Sequence, residues 1–355
     1  MAQSDEMVPV ADAADLAPGD PVVTRAGTHA IALFAHEGEV YAVDNRCPHM
    51  GFPLSKGTVE DGLLTCHWHH ARFELSCGDT FDIWADDVQT FPTQVQDGTV
   101  YVDPDPDPDV PPETHWRNRL ADGLAENLSL VAAKAVIHLD HCGEGFTTPL
   151  ETAVDFGTQY RADGWGRGMT TLGAMANLYE TVAHDEKLRA MIVGVTEVAD
   201  NCDGAPPRFE QYALGNDDLS KPRLKSWFRD TCDVRDSTGA ERCLRTAATA
   251  LGREDLVEVL VAAATDHIYM NNSHTIDFLN KAIETLDHVG WDRREPVLAT
   301  VVDAIADASR GEETSTWTRP VNVAEVCFDA AADLPELVAA GADKDWARPD
   351  DFIET

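Results

Sequence analysis

The chain has 355 residues, enough for two domains, and its 63 acidic and 27 basic residues give a formal net charge of −36 at pH 7. This charge argues against nucleic-acid binding, which needs a basic surface, and against docking on an anionic membrane. The sequence contains no run of about 18 or more apolar residues and no signal peptide pattern at its N-terminus. We therefore expect a cytoplasmic protein that binds neither nucleic acid nor membrane.

The N-terminal region carries the pattern of an all-β domain. Residues 21–43 alternate apolar and polar side chains around glycine-bearing turns, which predicts strands joined by hairpins. The same pattern returns at 90–103, where Asp97-Gly98 is a typical hairpin turn. We predict a small all-β domain over residues 1–103.

Each of two short segments in this domain combines one cysteine with one histidine at close spacing. The segments are Cys47-Pro48-His49 and Cys66-His67-Trp68-His69. Two thiolates and two imidazoles are the ligand set of a Rieske [2Fe–2S] centre, in which the thiolates hold one iron and the imidazoles hold the other. Zinc also accepts two cysteines and two histidines, but zinc sites rarely show this two-loop spacing in a β domain.

The stretch 47–81 resembles the cluster-binding region of Rieske ferredoxins and of Rieske non-haem iron oxygenases. By this resemblance, Cys47 and Cys66 bind one iron of a [2Fe–2S] cluster. His49 and His69 bind the other iron. The resemblance implies a protein that moves single electrons.

Four positions near these residues distinguish the chain within the resemblance. His67 stands where the family usually has proline, and His70 stands where it usually has glycine; we interpret both as non-ligands. Glycine at the second position often marks a tight backbone approach. Met50 and Trp68 occupy the places of the extra cysteine pair of high-potential respiratory Rieske proteins, which favours the ferredoxin or oxygenase branch.

A linker and a helical region follow. Residues 104–113 are rich in aspartate and proline, which neither a helix nor a β-ladder accommodates. Beyond the linker, apolar residues recur at three- and four-residue spacing, and alanine and leucine are frequent. We therefore predict a multidomain chain in which an all-β Rieske domain is followed by an all-α domain over 114–355.

The helical region resembles the questin oxidase-like family more weakly. The resemblance rests on the segments AVIHLDHCG, GWGRGMTTLGAMANL and ATDHIYMNNSHTIDFLNKAIETLDHVGW. That family is helical and linked to oxidative chemistry, so the resemblance implies an oxidative role for the helices.

A second metal site, most simply for iron, is predicted around His267 and His274. The intervening Asn271-Asn272-Ser273 is poor in helix formers, and a break there would let both imidazoles approach one ion. The further candidates for this site, as ligands or neighbours, are His141, His184, Asp277 and Lys281. The alternative is that these histidines are surface residues or hydrogen-bonded core residues, which is the usual place of a lone helical histidine.

The leading hypothesis is an oxygenase-type oxidoreductase. An electron from a reductase or ferredoxin would pass through the cluster to a mononuclear iron, which would activate dioxygen against a small organic substrate. However, the usual two-histidine, one-carboxylate motif of Rieske oxygenases is not found after residue 114. The alternatives are an electron carrier whose helices dock or support, and a redox sensor.

The acidic residues are spread through both halves of the chain, which favours a halophilic protein over an ordinary acidic mesophile protein. We predict that the melting temperature rises from dilute to molar potassium chloride, because the Debye length falls to about 3 Å near molar salt and the carboxylates then repel each other weakly. A melting temperature that stays flat or falls over this range would contradict the prediction.

Overall fold

The computed structural model describes residues 7–108, 110–179, 181–215, 219–342 and 344. The chain divides into two compact units. The first unit comprises Met1–Tyr160 and Arg167–Ala205, and the second comprises Arg161–Gly166 and Pro206–Thr355. The predicted fold class is confirmed, since a β-sheet region is followed by a helical region.

The β region of the first unit consists of short antiparallel strands. Those found in the described residues are β1 (Val8–Asp12), β2 (Val22–Ala26), β3 (His29–His36), β4 (Glu39–Asp44), β5 (Thr58–Glu60), β6 (Leu63–Thr65), β7 (Arg72–Glu74), β8 (Thr90–Phe91), β9 (Thr93–Gln96) and β10 (Thr99–Val102). They form three sheets with the orders β1-β10-β9, β2-β3-β4-β8 and β5-β6-β7. The predicted turn at Asp97-Gly98 is confirmed, because both residues have positive φ and Gln96 pairs with Thr99 across it.

Strand β3 contributes to two apolar clusters because successive side chains of a strand point to opposite faces. Ile31 and Leu33 pack into one cluster, and Ala32 and Phe34 pack into the other. The second cluster also contains both cysteines of the predicted cluster motif, Cys47 and Cys66, together with Phe73 and Leu64. The β core therefore extends directly to the predicted site.

Five helices of the described residues belong to the same unit as the strands. They are α1 (Pro112–Ala125), α2 (Ser129–His141), α3 (Thr147–Gln159), α4 (Arg167–Tyr179) and α5 (His184–Cys202). Helix α1 begins with Pro112, inside the predicted linker 104–113, and the start of a helix is a position that suits proline. Helices α1 and α2 approach closely at Gly123, where an added Cβ would lie only 2.8 Å from Ala132 N.

Helix α1 is tied to the β region by the buried side chain of Arg119. Its guanidinium donates to the carbonyl of Ile83 at 2.7 Å and also to the carbonyl of Ala85. Charge-assisted hydrogen bonds of this kind are stronger than neutral ones. The first five helices thus share a unit with the strands. The domain prediction instead grouped every helix in 114–355. The predicted linker at 104–113 stays a prediction.

The second unit is helical. Its described helices are α6 (Lys221–Asp233), α7 (Ser237–Ala250), α8 (Arg253–Ala264), α9 (His274–Val289), α10 (Arg294–Ala299), α11 (Val302–Ala306), α12 (Ser315–Thr318) and α13 (Val323–Gly341). The predicted break before His274 is confirmed, since Asn271, Asn272 and Ser273 all have positive φ and α9 begins at His274. Among the described residues, no helix combines the length and apolar character needed to cross a membrane.

Candidate metal centre

The two loops that carry the motif cysteines follow strands β4 and β6 and are closed by the same hydrogen bonds. In each loop, the cysteine N–H donates to the carbonyl five residues later, and the cysteine carbonyl accepts from the N–H four residues later. The bonds are Cys47 N to Phe52 O (2.8 Å), Gly51 N to Cys47 O (2.7 Å), Cys66 N to Ala71 O (2.8 Å) and His70 N to Cys66 O (3.0 Å). The two loops therefore present their cysteines in equivalent ways.

The equivalence of the two loops explains why the family usually has glycine at the position of His70. Gly51 closes the first loop with φ of 83°, and His70 closes the second with φ of 64°. Both lie in the left-handed region, which a residue with a side chain enters at a cost of roughly 1–2 kcal/mol. His70 thus adopts the backbone conformation that glycine adopts more readily, without a change in the loop.

The motif side chains come together in two pairs, the two imidazole rings and the two thiols. The rings of His49 and His69 lie edge to face with their centroids 4.8 Å apart, and the thiols of Cys47 and Cys66 are buried within hydrogen-bonding reach of each other. Burial raises the pKa of the Cys47 thiol to about 11, and the neighbouring Cys66 adds to the shift. A thiolate at this place needs a metal to stabilise its charge.

The chemistry of His49 also fits a metal ligand. Its Nδ1 is buried and finds no hydrogen-bond partner in the part of the chain that the structure describes. Burial lowers the pKa of His49, and the nearby His69 and Lys134 lower it further, so the ring is neutral at pH 7, as an imidazole ligand must be. The residues present therefore fit a Rieske cluster, which needs two thiolates for one iron and two imidazoles for the other.

The two histidines differ in exposure. The ring of His49 is half-buried and lies edge-on to Trp84, with centroids 4.8 Å apart. His69 is exposed, and the ring of the half-exposed Trp68 lies beside it, tilted by 32°, with the centroids 4.5 Å apart. His67 Nε2 lies 3.3 Å from Thr58 Oγ1, in keeping with the interpretation of His67 as a non-ligand. One edge of the site is thus open, and the other is enclosed.

Helix α2 contacts the first ligand loop through Lys134, a residue that the sequence analysis did not single out. Its Nζ donates to His49 O at 2.6 Å and also to Pro48 O. Burial lowers the pKa of Lys134, against the effect of the Asp86 and Cys47 charges. The sequence contained one feature that could have drawn attention to this residue. Lys134 is the one lysine or arginine in α2, an alanine-rich helix of an acidic chain.

A second contact between the helices and the β region surrounds Asp86. This carboxylate lies 3.0 Å from His115 Nε2 and 3.2 Å from Arg119 Nε. Burial would raise the pKa of Asp86, but the hydrogen bond from His115 and the two positive charges lower it, and the same hydrogen bond raises the pKa of His115. Asp86, Asp87 and His115 form the one group in the described residues with three ligand atoms within 4.8 Å of one another, yet the Arg119 guanidinium already pairs with Asp86. The arrangement is an ion-pair network that joins α1 to the loop.

The candidates for a second metal in the second unit have other contacts. His267 lies after α8, not at its end, and both ring nitrogens face carboxylates: Nδ1 is 2.6 Å from Glu312 Oε1, and Nε2 is 3.4 Å from Asp233 Oδ1. His274 is exposed, and its ring stacks on Phe278. Asp277 is also exposed. Lys281 Nζ lies 2.7 Å from Glu284 Oε2. The mononuclear site around them stays a prediction.

The two candidates in the first unit lie on its surface. His141 ends α2 and lies edge-on to His138, with ring centroids 5.9 Å apart. His184 begins α5, with its Nε2 3.4 Å from Asp140 Oδ2. Neither residue belongs to the Asp86 group.

The comparisons with known proteins agree with the geometry of the two loops. Residues 6–92 match the Rieske [2Fe-2S] domain. The ferredoxin component of the alkene monooxygenase system of Xanthobacter autotrophicus is 35% identical over 104 residues, which cover 29% of this chain and 85% of that protein. The chain belongs to the Rieske [2Fe-2S] domain family.

Other relatives match this Rieske domain over similar lengths. A 3-phenylpropionate/cinnamic acid dioxygenase ferredoxin subunit of Photorhabdus laumondii is 40% identical over 20% of this chain and 70% of its own length. Apoptosis-inducing factor 3 of Homo sapiens is 35% identical over 25% of this chain, which spans only 15% of that protein. Among solved structures, the Sphingomonas yanoikuyae B1 ferredoxin is 25% identical, with 28% of this chain and 100% of that chain covered and a TM-score of 0.27. Each of these matches covers less than a third of this chain.

We predict opposite effects of glycine at the two extra histidines of the second loop. His70→Gly should raise the free energy of unfolding by about 1 kcal/mol, because glycine enters the left-handed region without strain. His67→Gly is the matched control and should lower it, since φ at His67 is not positive and glycine there only adds freedom to the unfolded chain. Denaturant titration measures both, and a change of the same sign in the two variants would contradict the loop conformation.

Proposed function

We propose that this chain is a Rieske-type electron carrier, which takes single electrons from a reductase or ferredoxin and delivers them to an acceptor. The cluster supplies the one-electron chemistry when it is bound. Cys47 and Cys66 would hold one iron, and His49 and His69 would hold the other. The observation that carries the proposal is the buried Nδ1 of His49, which has no protein partner among the described residues and belongs to a ring that lies edge-on to His69.

The exposed edge at His69 is the proposed approach for electron-transfer partners. Trp68 lies beside this ring and is 50% exposed, and Met50, next to His49 in the sequence, is 56% exposed. Apolar and aromatic side chains of this kind are enriched at protein interfaces. His49 is enclosed by Trp84, so the transfer of electrons at short distance favours the His69 edge.

The oxygenase hypothesis is the second candidate. Several relatives are ferredoxin components of monooxygenase and dioxygenase systems, which supports an acceptor that activates dioxygen against an organic substrate. In this chain the acceptor would be a third iron near His267 and His274. The carboxylates at both nitrogens of His267 favour the carrier, because a metal ligand needs one nitrogen free.

We also propose that the protein works in a salt-rich cytoplasm. The formal net charge of −36 supports this proposal, because such a surplus of carboxylates destabilises a compact chain unless salt screens it.

The carrier is tested by the spectrum and the potential of the purified full-length protein. We expect the electron paramagnetic resonance signal of a reduced Rieske centre. His49→Cys and His69→Cys should each change the signal and lower the reduction potential, because a thiolate adds negative charge to the site. His67→Ala is the control and should leave both unchanged. An unaltered signal in either cysteine variant would show that the ligand assignment is wrong.

A further inference from the structure

We propose that Lys134 of helix α2 is a positioning residue for the first ligand loop and that its charge raises the reduction potential of the cluster. This inference rests on the proposed function. It assigns a role in electron transfer to a helix that lies outside the Rieske sequence motif.

The contact joins one ammonium group to two consecutive carbonyls of the ligand loop. Lys134 Nζ donates to His49 O at 2.6 Å and to Pro48 O. These carbonyls belong to the peptide units around a proposed iron ligand, so the two hydrogen bonds restrict the orientation of the backbone that carries the imidazole. Groups that orient a metal ligand in this way tune the properties of the metal site.

The positive charge of Lys134 is not neutralised locally. Within the described residues, no carboxylate lies within 4.0 Å of its Nζ, whereas Lys221, Lys225 and Lys281 all pair with carboxylates. The acid whose charge acts on Lys134, Asp86, is itself paired with His115 and Arg119. In a chain with 63 acidic residues, Lys134 is thus a partly buried lysine whose ammonium group donates to carbonyls and pairs with no carboxylate of the described residues.

The electrostatic consequence has a definite sign. Reduction adds one negative charge to the cluster site, and a nearby cation stabilises the reduced form more than the oxidised form. Because Lys134 is partly buried, salt screens its charge less than it screens a surface charge. Lys134 therefore favours reduction, and the effect depends on the position of α2.

The position of α2 is in turn set by α1. The two helices approach closely at Gly123 and Ala132, two residues before Lys134, and Arg119 ties α1 to the carbonyls of Ile83 and Ala85. The helices of the first unit are thus part of the environment of the cluster. A change in the packing of α1 and α2 would reach the ligand loop through Lys134.

The test is a redox titration of the full-length protein, monitored by electron paramagnetic resonance, for the wild type and four variants. Lys134→Met removes the charge and both hydrogen bonds, Lys134→Gln keeps an N–H donor without the charge, and Lys134→Arg keeps the charge. Lys225→Met is the matched control, since it removes one positive charge from α6 in the second unit.

We expect Lys134→Met and Lys134→Gln to lower the midpoint potential, equivalent to about a tenfold smaller equilibrium constant for reduction. Lys134→Arg should restore most of the wild-type potential, and Lys225→Met should keep it. If the Lys134→Met variant does not fold, the midpoint potential of Lys134→Gln tests the inference alone. A wild-type potential in either neutral variant would overturn the inference, and so would an equal loss in Lys134→Arg. Absence of a Rieske signal from the wild type would instead refute the proposed function.

Discussion

The burial of two cysteine thiols is the constraint on which the first unit depends. Cys47 and Cys66 lie in the same apolar cluster as Phe73, and burial raises the pKa of Cys47 to about 11. The β core brings the thiols together but provides no charge to stabilise them as thiolates. The two loops, with their matching hydrogen bonds, are therefore shaped for an ion that compensates this charge. The neutral imidazoles complete a site that adds little further negative charge.

The helices take part in this arrangement through charge. Arg119 and His115 pair with Asp86 beside the enclosed edge, and Lys134 contacts the carbonyl of His49. Cations are scarce in this chain, which has 27 lysine and arginine residues against 63 acids. Arg119, which is buried, and Lys134, which is partly buried, donate to carbonyls of the β loops in the first unit. Electrostatic support of the site is thus supplied by segments that follow the Rieske domain in the sequence.

Local signals in the sequence predicted the local features. The two ligand loops, the turn at Asp97-Gly98 and the break before His274 each depend on a few adjacent residues, whose backbone preferences act at short range. The contacts that join distant segments were not predictable in this way. Lys134 meets His49 across 85 positions, and Glu312 meets His267 across 45. Such pairs follow from the packing of helices, which spacing does not reveal; the contacts of His267 with carboxylates are an example, and the metal site proposed around it stays a prediction.

The iron and acid-labile sulfide content of the purified full-length protein tests the account most directly, because it counts the metal centres of the whole chain. A carrier with one Rieske cluster requires two irons and two sulfides per chain. The account predicts that ratio, unchanged in a His267→Ala, His274→Ala double variant. A third iron in the wild type that the double variant loses would contradict it and would establish a mononuclear site in the helices.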